Sequence, residues 1–61
     1  MSAKRFLDER IALEARRRLV TTDSSVATIA RELGFTEATN FVKFYRRLTG
    51  TTPTATRPAP S

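Results

Sequence analysis

The apolar residues of this chain fall into three runs with helical spacing, separated by short polar stretches rich in Thr, Ser and Gly. In the first, Leu7, Ile11, Ala15 and Leu19 recur at every fourth position with Ala12 beside them. They lie in a segment rich in Leu, Ala, Glu and Arg, residues that enter a helix at little cost. In the second, Val26, Ile29, Ala30 and Leu33 stand at i, i+3, i+4 and i+7, one face of a helix. In the third, a rotation of about 100° per residue gathers Ala38, Phe41, Phe44, Tyr45 and Leu48 on one side, with Val42 at their flank. The pattern predicts helices over about 6–20, 26–33 and 37–48. A further turn over 53–56 is expected, with Thr52 as cap and Pro53 at the first helical position.

The punctuation agrees with these spans. Ser25 precedes the second run as an N-cap whose hydroxyl can accept a free backbone N–H. Thr28 stands where a capping box would place Glu or Gln, so only half of that signature is present. Gly34 suits the left-handed residue that ends a helix, and Phe35 can then pack back on its last turn. Thr36 is expected to cap the third helix, with Glu37 in its first turn at the positive end of the dipole. Gly50 closes that helix by the same logic. Residues 1–5 are expected to fray. The Pro-rich residues 58–61 read as a disordered tail, because Pro lacks a donor and disfavours helix before it. Two helices joined by a short Gly-containing turn form a helix-turn-helix, whose second helix enters the major groove in its DNA-binding members.

The polar side of the third helix carries the candidate chemistry. Thr36, Thr39, Asn40, Lys43, Arg46 and Arg47 fall opposite its aromatic side, with no acid among them. Asn can bond bidentately to adenine, Lys can donate to guanine, and Thr offers a hydroxyl and a methyl to thymine. Arg46 and Arg47, further along, suit phosphates, which give affinity without sequence information. A solvated face is the ordinary fate of such charges. The preceding helix, the Gly turn and the absence of acid after Glu37 favour nucleic-acid contact instead. The run Arg16-Arg17-Arg18 reads chiefly as a solvated helical face, with Arg18 four residues after Glu14 in the favourable order for a pair.

Composition narrows the classes. Sixty-one residues make one small domain, and a chain of that size buries only about 60% of its unfolded surface. With no Cys and no His, neither a disulfide, a zinc site nor any cofactor is expected. An enzyme is disfavoured too, since a small helical chain offers little concavity for a carboxylate or lysine pair. The net charge is +5 and the pI about 11.2. The first 37 residues carry seven cations against six anions, whereas Lys43, Arg46, Arg47 and Arg57 follow with no anion. Such a basic half fits nucleic acid or an anionic membrane; the membrane reading is the weaker, because the aromatic face is needed as core. No apolar run reaches the ~18–20 residues of a membrane span, and the start has no signal-peptide pattern. The cytoplasm is the expected compartment.

The residues resemble a known family, the AraC/XylS-type bacterial transcription regulators. The likeness covers about residues 8–57, through Asp8-Glu9-Arg10, Glu14-Ala15, Arg17 to Leu19, Ser25-Val26-Ala27 and Ile29-Ala30. It continues through Leu33-Gly34-Phe35-Thr36, Asn40-Phe41, Lys43, Tyr45-Arg46-Arg47, Gly50, Thr52-Pro53 and Arg57. It is to the second helix-turn-helix of that family's DNA-binding domain and the long helix leading into it. The resemblance implies a small all-α helical bundle containing a helix-turn-helix, in a homeodomain-like three-helix arrangement over residues 1–57. It implies sequence-specific DNA binding in transcription regulation. Glu37, Ala38, Thr39, Asn40 and Lys43 would face bases; Thr36, Arg46 and Arg47 would face phosphates. The expected partners are double-stranded DNA, and RNA polymerase or another regulator chain, with no small-molecule effector held within this chain. The sequence departs from the family in lacking the first helix-turn-helix and in carrying Thr56 where an aromatic residue is usual before the Arg. A truncated member is therefore expected. The alternatives are a non-catalytic basic module for RNA or an acidic protein, or a fragment inactive without the missing half.

Overall fold

The structure, a computed structural model, describes residues 3–58, with side chains from Phe6 onward. It is an all-α bundle of helices α1 (Ala3–Thr21), α2 (Val26–Glu32), α3 (Ala38–Thr49) and α4 (Pro53–Thr56). Helix α1 starts at Ala3, three residues before the predicted start and within the stretch expected to fray, because nothing in Ala3-Lys4-Arg5 breaks a helix; residues 1–2 lie outside the described residues. Of the tail expected at 58–61, all but Pro58 lies outside the described residues.

The core forms where α1, α2 and α3 meet. Ala15, Leu19, Ile29, Ala30, Phe41 and Tyr45 are buried together, with Val26, Leu33, Phe35 and Ala38 packed against them. The small side chains Ala15 and Ala30 let the helix backbones approach, and the aromatic rings of α3 fill the space between. Phe35 joins the turn to that stack, its ring 5.4 Å from Phe41 edge-on and 5.2 Å from Phe44. Leu7, the first residue of the apolar run predicted for α1, does not join the core: it is 58% exposed.

The helix ends explain why α2 and α3 hold a fixed relation. The Ser25 hydroxyl accepts the Thr28 N–H at 3.1 Å, capping α2. At the other end Phe35 N–H donates to Ala30 O at 2.9 Å and Gly34 N–H to Arg31 O at 3.0 Å. This is the paired 6→1 and 5→2 closure, with Gly34 at φ 94° and Phe35 as the apolar residue folded back on the helix. Gly50, at φ 79°, ends α3 through one bond to Arg46 O of 2.8 Å. Helix α1 has no glycine to close it. Its last carbonyls are taken by side chains: the hydroxyls of Thr21 and Thr22 bond Arg17 O and Arg18 O at 2.7 Å. The Arg57 guanidinium reaches Leu19 O at 3.1 Å and Thr22 O at 3.3 Å.

That last contact docks α4 on the bundle. Thr52 caps α4 by accepting the Ala55 N–H, and Pro53 is buried at its start. Thr56, the position at which the sequence departs from the family it resembles, bonds the Tyr45 hydroxyl at 2.9 Å. The buried ring of Tyr45 thus keeps its polar end satisfied within the protein, as a buried hydroxyl must.

Candidate nucleic-acid interface

Helix α3 turns its aromatic side inward and its polar side out. Phe41 and Tyr45 are buried, while Thr39, Asn40, Lys43, Arg46 and Arg47 are exposed. In a helix with a single apolar face this division follows from the 3.6-residue period. Thr36 and Glu37, in the turn before α3, are exposed as well. None of these seven side chains makes a hydrogen bond or ion pair among the described residues. A face whose donors are all unengaged is open to an external partner.

Ala38 stands apart from the others expected to face bases. It is half-buried and packs against the core cluster, so it offers the least surface outward. The expected cap also differs. The N-cap of α3 is Glu37, in extended backbone and without a side-chain cap bond. Its carbonyl already accepts the Phe41 N–H at 3.3 Å, which leaves Thr36 one position too early to cap. The Thr36 hydroxyl is thereby left for solvent or ligand.

The remaining charges divide by role. Arg18 is held by Glu14 at 3.0 Å and by Glu32 of α2 at 2.8 Å, so it clips α1 to α2 and is no part of the interface. Its hydrogen bond to Glu14, then that to Glu32, raises its pKa above the ordinary arginine value. The Glu14 contact follows from four-residue spacing. The Glu32 contact joins residues 14 apart, and no local pattern announces it. Arg16 and Arg17 are exposed, on the side of α1 away from the core.

Comparisons with known proteins place the chain in a family. The family model described as "Helix-turn-helix domain" matches residues 1–59. The chain belongs to the AraC/XylS-type helix-turn-helix family. It is similar to the HTH-type transcriptional activator RhaS of Pectobacterium carotovorum and of Pectobacterium atrosepticum, at 37% identity over 57 residues. It is similar to the same degree to the HTH-type transcriptional regulator ExsA of Pseudomonas aeruginosa. Each alignment covers 93% of this chain but 20% of the relative, so the chain spans about one fifth of the length of the proteins it matches. No solved structure gives a significant match. Among the described residues no helix is long and apolar enough to cross a membrane.

Proposed function

We propose that this domain binds double-stranded DNA sequence-specifically, laying α3 in the major groove, and serves transcription regulation as a non-catalytic module. The observation that carries the reading is the outer face of α3: exposed, free of acid along the helix, and with every donor unengaged. Asn40 and Lys43 read base edges, with Thr39 and Glu37 beside them; Glu can accept from the cytosine amino group. Ala38 closes the helix on its core between these readers. Thr36, Arg46 and Arg47 contact phosphates and set the register. Kinship with proteins named as regulators supports the regulatory role. RNA polymerase or another regulator chain would be the further partners, and these residues are not expected to hold a small-molecule effector.

The test is selection of the chain against a randomised duplex pool at fixed moderate salt, followed by titration of the enriched site. A short motif should be enriched, and Asn40→Ala or Lys43→Ala should relax it at one position at a cost of about 1–3 kcal/mol. Replacing Arg46 and Arg47 together with Ala should weaken all sequences alike and flatten the salt slope by about 2. Retention without enrichment, or a motif indifferent to Asn40 and Lys43, overturns the assignment.

A further inference from the structure

The outer face of α1 has no role in the bundle or in the proposed DNA contact. Phe6, Leu13 and Val20 are 57%, 63% and 49% exposed. They are seven residues apart, and since an α-helix drifts only about 20° per heptad they form one straight seam. Arg10 and Arg17 line one edge of that seam, and Glu9 and Arg16 the other. Helix α1 is thus apolar on two opposite sides, of which the bundle covers one. At the C-terminal end of the seam, Leu13, Arg16, Arg17, Val20 and Thr21 enclose a shallow recess of about 210 Å³. Its first four members stand at i, i+3, i+4 and i+7. This is the four-residue hole that receives a side chain from a facing helix in knobs-into-holes packing.

We propose that this seam docks an acidic amphipathic helix of a partner protein, with an apolar side chain in the recess and carboxylates against Arg10, Arg16 and Arg17. Charge selects this occupant. The seam edges carry three arginines against one acid, Glu9, so a second copy of the chain would bring a net like charge against it, and like charges across a helix seam repel. A membrane would need a broad apolar face, whereas this one is a single residue wide. The arginine edges are exposed and, among the described residues, unpaired. They can therefore meet carboxylates without first breaking an internal bond.

The probe is a synthetic helical peptide with leucine along one face and glutamate along both edges, fluorescently labelled and titrated with the full chain by anisotropy. The peptide should bind, and Leu13→Gln with Val20→Gln should weaken it about tenfold or more while the far-UV spectrum stays unchanged. Arg16→Glu with Arg17→Glu should abolish binding and recover it with a peptide carrying lysine in place of glutamate. No binding, or equal binding of a peptide with serine for leucine, overturns the proposal. So does tighter binding of phosphatidylglycerol vesicles, or self-association that the Leu13 and Val20 substitutions remove. Duplex binding through α3 is read separately, so failure of one proposal leaves the other standing.

Discussion

Helices α1 and α3 distribute their apolar residues in opposite ways. Helix α3 puts all its aromatic rings on the core side and only polar groups outside. Helix α1 keeps the small residues Ala12 and Ala15 with Leu19 inside, and leaves Phe6, Leu13 and Val20 outside. The lesson is that large apolar residues on a helix do not by themselves locate the core. In α3 they do, because one broad stripe is the only apolar surface available. In α1 two narrow stripes compete, and the one with small side chains is buried because it lets α2 and α3 approach. The outer faces consequently invite different partners: a polyanion at α3, an apolar and acidic surface at α1.

The largest effect should come from removing what both faces share. Phe41 is fully buried at the centre of the cluster, and Phe41→Ala should cost about 3–5 kcal/mol. In so small a domain that loss should abolish a cooperative urea transition and duplex binding with it. Next is Arg57→Ala, which strips the guanidinium from Leu19 O and Thr22 O. A loss of about 2 kcal/mol is expected from these charge-assisted bonds, read as a lower urea midpoint. Gly34→Ala should cost about 1–2 kcal/mol. No atom lies within 4 Å of the added Cβ, so the whole loss comes from the left-handed backbone at φ 94°. A larger loss would mean that the turn tolerates no side chain for another reason. The smallest effect belongs to Leu13→Gln, which should move stability by less than about 0.5 kcal/mol. A clear destabilisation there would return Leu13 to the core and erase the contrast between the helices.

Much of this was legible in the sequence because it is local. The 3.6-residue period gives the helices their faces. Ser25, Thr52, Gly34 and Gly50 are residue types that helix ends require, and the structure uses each of them so. The acid-free polar side of α3 could be read directly, because only one apolar stripe existed to be buried. The cap of α3 lies one residue later than the sequence suggests, since Thr36 and Glu37 are both plausible neighbours of a helix start and propensity does not choose between them.

What the tertiary structure decided is everything that depends on residues far apart in the chain. Arg18 meets Glu32 and Arg57 meets Leu19 O across separations of 14 and 38 residues. Tyr45 finds Thr56 only once α4 has folded back on the bundle. Leu7 looks like core by spacing, yet lies exposed. Periodicity states which residues share a face of a helix. Which face is covered depends on where the other helices end, and that is settled only by packing.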